Sequence, residues 1–182
     1  LYNKQFANAA AAAKAIIESG KYSLMPSFAN VFLEENDRGP EVVFSVEFLP
    51  SVYTSSHASF FTTRSDYESS TTSGKTWNGW NSNAVSSLLP GMFESGDLRK
   101  EQTVIDVNVL DQNKPFKRAT WNFGPKFWDM INPRALSAKD FKVMRYAEVL
   151  LNYAEAENEA NGPSNAYVAL NQVRSRAGLA PL

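Results

Sequence analysis

The residues best suited to chemistry lie between Pro50 and Asn83, where Ser, Thr and Asn surround Tyr53, Phe60, Phe61, Tyr67, Trp77 and Trp80 without a sustained helical or strand period. A long loop so rich in rings points to binding. A sugar ring offers apolar C–H faces and an equatorial belt of hydroxyls. A site for it therefore needs flat aromatic platforms flanked by amides, carboxylates and guanidinium groups. Trp77-Asn78-Gly79-Trp80-Asn81 supplies rings and amides within one turn, and Gly79 lets the backbone bend between the two indoles. Trp77, Trp80, Tyr53 and Tyr67 are the expected platforms; Arg64, Asp66, Asn78 and Asn81 are the expected partners of ring hydroxyls. The competing role is burial, because large aromatic side chains are more often packed than exposed, and Trp80 also suits a structural anchor.

Other candidates carry less. Glu148, Glu155, Glu157 and Glu159 invite a paired-carboxylate reading, but glycoside chemistry needs two carboxyls facing each other across a cleft, and Glu148 and Glu155 share one helix face. Ion pairing accounts for them instead, Glu148 with Arg145 and Glu155 with Arg174 or Arg176 across a helical hairpin. His57 is the single histidine, without a serine or cysteine motif beside it, and reads as a loop residue. Trp121 and Trp128 sit in a dense aromatic stretch beside a strand-like pattern, which is the habit of core residues. Metal-ligand spacing, phosphate-binding glycine loops and dinucleotide fingerprints are absent, so neither a cofactor nor a metal is expected.

Several elements must position these residues. Phe6, Ala9, Ala10, Ala13, Ile16 and Ile17 recur at helical spacing, and Gly20 offers a left-handed stop. Tyr22, Leu24 and Phe28 to Phe32 follow as an ordered connection, and Glu41 to Phe48 alternates like a strand. Val85, Leu88, Leu89 and Phe93 suggest a short helix that Pro90 kinks or splits. Thr103 to Leu110 is strand-like, with a possible partner around Arg118 to Phe123. Val143, Ala147, Leu150, Leu151 and Ala154 form a helical stripe; Gly162-Pro163 breaks the chain; Ala166, Leu170, Val173 and Ala177 form another. Residues from about Asp140 to Gly178 are thus expected to make an antiparallel helical hairpin of tetratricopeptide-repeat size.

The 182 residues hold 18 Lys plus Arg against 19 Asp plus Glu, a formal net charge of −1. That balance lacks the basic excess that counter-ion release on a phosphate backbone exploits, so nucleic acid is not an expected partner. Cysteine is absent, which removes disulfides, thiolate metal sites and cysteine nucleophiles together. No stretch approaches the roughly 20 apolar residues of a membrane helix. Leu1 stands close to a helical stripe and Leu182 just beyond one, so both ends read as cuts in a larger protein.

The stretch Arg145-Tyr146-Ala147-Glu148-Val149-Leu150-Leu151-Asn152-Tyr153-Ala154-Glu155-Ala156, followed by Asn171-Gln172-Val173-Arg174-Ser175-Arg176-Ala177-Gly178-Leu179, resembles the C-terminal repeat of the SusD/RagB family. Ser19-Gly20-Lys21-Tyr22-Ser23-Leu24 looks like that family's turn after a repeat helix, and Glu41-Val42-Val43-Phe44-Ser45 like the strand that follows. Gly96-Asp97-Leu98-Arg99 stands where the family usually has Asp-Pro-Arg, so Leu98 is a departure. Lys126-Phe127 looks like a framework pair that the family carries before its last repeat.

The resemblance implies a mostly α fold with strand and loop insertions, in which tetratricopeptide-repeat-like hairpins pack on a small irregular strand-and-loop region. Residues 1–182 would be the middle and later part of such a domain: a repeat helix over 1–20, a strand, loop and insertion region over 41–139, and the final repeat hairpin over 140–178. It also implies a non-enzymatic, glycan-binding lipoprotein on the extracellular face of the outer membrane, a lid over a SusC-like TonB-dependent transporter. The lipid anchor and earlier repeats would lie in the part preceding Leu1. The family carries no invariant glycan-binding motif, so the loop candidates rest on composition. The rival from another class is a helical-repeat scaffold that binds protein, with the aromatic loop as its interface.

Overall fold

The computed structural model describes residues 1–49, 52–58, 85–106, 121–128 and 137–182. The chain divides into two units, one made of Leu1–Val31, Glu35–Val46 and Lys142–Leu182, the other of Phe32–Glu34 and Glu47–Phe141.

In the first unit the Ala-rich stripe becomes helix α1, Phe6–Glu18. It ends where the amides of Ser19 and Gly20 reach back to the Ala15 and Ile17 carbonyls and Gly20 takes a φ of +64°, the left-handed stop its type favours. The connection after it is partly 3₁₀-helical over Ala29–Phe32. Strand β1 is Val42–Val46.

The hairpin starts later than its periodicity suggests. Phe141–Arg145 is a strand, labelled β4, that pairs with β1, and helix α3 begins only at Tyr146. Phe141 and Val143 alternate with Lys142 and Met144, a period of two, but Val143 also stands four residues before Ala147, so the same residue fits a helical stripe. Tyr146 N donates to the Glu41 carbonyl at 2.8 Å, where β1 begins and β4 ends, so the two strands run antiparallel. Val43 and Met144 turn to the helices, leaving Phe44, Val46 and Val143 exposed.

Helix α3 spans Tyr146–Asn161 and helix α4 spans Pro163–Arg176. Between them Gly162 holds a φ of +94°, and Pro163 takes the first helical position, where its missing N–H costs nothing. α3 packs against both α1 and α4. Leu150 and Ala156 are fully buried, and Ala13, Ala147, Ala154, Ala166 and Ala169 let the backbones approach closely.

A charged node ties this unit together. Glu41 is fully buried; its Oε1 accepts from Arg145 at 2.7 Å, and its Oε2 from Arg176 at 2.9 Å and from the Met25 amide at 2.9 Å. Both guanidinium groups lie over the Phe28 ring, 5.8 and 5.2 Å from its centroid. Burial lowers the Arg145 pKa from its ordinary value, and the Glu41 carboxylate opposes that shift. Arg176 therefore takes Glu41 where Glu155 is an expected partner, and Glu155 is exposed. Lys142 and Asp37 form a second, mostly buried pair.

In the second unit, a 3₁₀ turn covers Leu89–Met92 with Pro90 near its start, in place of a kinked α-helix. Gly96-Asp97-Leu98-Arg99 keeps its turn despite the departure at Leu98. The buried Asp97 carboxylate accepts from Arg99 Nε at 2.9 Å, its terminal nitrogen at 2.6 Å and its amide at 2.9 Å, while Leu98 points outward. Helix α2 takes Lys100–Thr103, so the strand after it, β2, begins at Val104. β2, Val104–Asp106, pairs antiparallel with β3, Trp121–Phe123. Trp128 is buried, its Nε1 donating to the Phe123 carbonyl at 2.9 Å, and the Lys139 ammonium caps the Lys126 and Trp128 carbonyls at 3.2 and 2.9 Å. Among the described residues no helix is long and apolar enough to cross a membrane.

Candidate functional site

Of the eight residues singled out for binding, Tyr53 falls within the described part. Trp77, Trp80, Tyr67, Arg64, Asp66, Asn78 and Asn81 lie outside the described residues. What the structure shows is how the start of the aromatic segment is anchored.

Two backbone bridges do the anchoring. Leu49 N donates to the Tyr53 carbonyl at 2.7 Å and Tyr53 N returns the bond at 3.0 Å. Two residues on, Ser55 and Ser137 exchange both backbone bonds at 2.9 Å, so the segment is stitched to the chain just before β4. Buried Asp140 adds a third tie by accepting the Phe48 amide at 2.8 Å. With its backbone spent on these bonds, Tyr53 leaves its side chain outside: the residue is 68% exposed. That exposure meets the first requirement of a stacking platform.

His57, expected as a plain loop residue, is built in. Its ring stacks on Phe48, centroids 5.5 Å apart, and meets Phe141 edge-on at 5.6 Å, while Ser55 Oγ lies 3.1 Å from both its amide and its Nδ1. Phe48 and Phe141 are far apart in sequence, and no local spacing marks them as members of this root. The cluster gives the chain leading into the aromatic segment a defined position.

The glutamates sort by environment. Glu148, Glu155 and Glu159 are exposed, whereas Glu157 is buried and accepts from the side-chain amides of Asn165 and Asn161, each at 3.0 Å. The Asn165 bond, then the Asn161 bond, hold the Glu157 carboxyl below its ordinary pKa. A group so held keeps its charge at neutral pH, the opposite of a general acid. Among the described residues no cluster of three His, Cys, Asp or Glu side chains has the arrangement of a metal site.

The chain is 30% identical to SusD-like protein P25 of Formosa agariphila over an alignment of 197 positions that covers 89% of this chain and 36% of that protein. Its fold is similar to that of surface glycan-binding protein A from Bacteroides uniformis, with a TM-score of 0.79 at 24% identity over 98% of this chain and 39% of the other. It is also similar to surface glycan-binding protein A from Bacteroides thetaiotaomicron solved in complex with laminarihexaose, with a TM-score of 0.80 at 20% identity over 100% of this chain and 45% of the other. The chain thus spans between about a third and a half of the length of these relatives. The model of the SusD family matches residues 18–182, nearly the whole sequence, and the chain belongs to that family.

Proposed function

We propose that the protein binds glycans without catalysis at the bacterial cell surface and delivers oligo- or polysaccharide to a SusC-like TonB-dependent outer-membrane transporter. The observation that carries this reading is membership of the SusD family over residues 18–182, joined to a fold shared with surface glycan-binding proteins, one of them bound to laminarihexaose. The protein acts on the extracellular face of the outer membrane, tethered by a lipid anchor in the part of the parent that precedes Leu1. The hairpin of α3 and α4 serves as the final repeat, α1 as an earlier repeat helix, and the region between them carries the insertion that presents the ligand.

The glycan platform is the aromatic loop. Trp77, Trp80, Tyr53 and Tyr67 stack on sugar faces, and Arg64, Asp66, Asn78 and Asn81 bond their hydroxyls. The exposed Tyr53, its backbone bonded to Leu49, supports this assignment. Titration calorimetry and affinity gels with a panel of polysaccharides test it on the full-length protein. At least one polysaccharide should bind, and a chelator should not change the affinity. A folded full-length protein that binds none of the panel contradicts the reading. Gentle membrane extraction should recover the protein with a barrel transporter; recovery always alone contradicts the delivery step.

A further inference from the structure

We propose that the groove between α1 and α4 is a second ligand site, separate from the aromatic loop, that takes one neutral sugar ring. Both helices pack on α3 and leave between them a cavity of about 280 Å³. Its floor is apolar, made of Ile17, Leu150 and the Tyr153 ring, and α4 contributes Val168 and Ala169 as a wall. Its rim is polar, with Lys14 and Glu18 on the α1 side and Asn165 and Gln172 on the α4 side.

The charges of the rim cancel in place. The Lys14 ammonium donates to the Glu18 carboxylate one turn along α1, so no unspent cation waits for an anion. Asn165 donates its amide to buried Glu157 and keeps its carbonyl oxygen, and among the described residues that oxygen, the Tyr153 hydroxyl and the Gln172 amide make no protein hydrogen bond. A purely apolar ligand would cover these groups without bonding them, at the cost of their hydration. A charged ligand would find no opposite charge. What fits is a ring with an apolar face for Tyr153, Ile17 and Val168 and neutral hydroxyls for the rim. The volume lies just below that of ordinary ligand pockets, roughly 300 Å³ and upward, so the site suits a single ring better than a length of polymer.

The ligand class rests on the glycan-binding reading, but the location does not, and the two fail separately. The test uses full-length protein with labelled Ile and Val methyl groups, titrated with glucose, galactose, mannose and xylose. At least one sugar should shift the Ile17 and Val168 methyl signals saturably. Val168→Trp should abolish the Ile17 shift by filling the groove; Val168 is 63% exposed, so the added ring need not disturb the core. Tyr153→Phe and Gln172→Ala should each weaken the response about 2- to 12-fold, the range for one lost hydrogen bond. Melting temperatures of all three variants should match the parent. No saturable shift with any of the four sugars, or shifts that persist unchanged in Val168→Trp, overturns the proposal. Shifts of groove methyls in a protein whose loop variants bind polysaccharide normally uphold the groove and contradict the loop assignment.

Discussion

Helix α3 and the segment around Tyr53 are held in place by opposite means. α3 lies between two other helices, its Leu150 and Ala156 fully buried, with Glu41 and two arginines locking its start to strand β1 and the end of α4. The segment from Leu49 to His57 relies on two backbone bridges and one ring cluster and leaves Tyr53 facing outward. Apolar area and buried charge stabilise the first; the second holds a backbone still while freeing a side chain for contact. Damage to the helical unit should therefore appear as lost stability, and damage to the loop as lost binding.

The sharpest break in this contrast is Glu41→Gln. It leaves the Arg145 and Arg176 guanidinium groups without their carboxylate in a buried node, which should cost about 3–5 kcal/mol of stability. Denaturant titration checks it; an unchanged midpoint would mean that the node contributes nothing. Tyr53→Ala probes the other region. Its bridge to Leu49 is backbone only and survives truncation, so the melting temperature should hold while polysaccharide binding weakens by about 1–2 kcal/mol. A drop in melting temperature with intact binding would place Tyr53 with the core instead.

The smallest effect concerns pH. The Asn165 and Asn161 amides lower the Glu157 pKa, so the carboxylate contributes stability that is present above its ordinary value and is lost as pH falls through the depressed one. Unfolding midpoints from about pH 7 to about pH 3 should fall less steeply for Glu157→Gln than for the parent. Parallel curves would contradict the role of the two asparagines.

How far the fold could be read in advance follows from the range of the interactions involved. The stripe Ala147, Leu150, Ala154 and the Gly162-Pro163 break are local, and they place both helices of the hairpin. Helical spacing alone makes the residues of β4 the first turn of α3, because what makes them a strand is β1, about a hundred residues earlier. The Glu41 node was hidden for the same reason, since its arginines stand 104 and 135 positions away. Nothing local to Arg176 distinguishes Glu41 from Glu155. At the site, composition singles out the aromatic loop, and of its expected platforms the described one, Tyr53, is exposed. The packing of His57 between Phe48 and Phe141 depends on residues that only the fold brings together.

The central claim is that the aromatic loop recognises glycan while the helical unit carries stability. Trp77→Ala in the full-length protein, with polysaccharide affinity and melting temperature measured on the same sample, tests it most directly. The account predicts an unchanged melting temperature and binding weakened about 5- to 150-fold, the loss of one aromatic anchor worth about 1–3 kcal/mol. A variant that melts like the parent and binds equally well, or one whose binding falls only as far as its folded fraction, contradicts it.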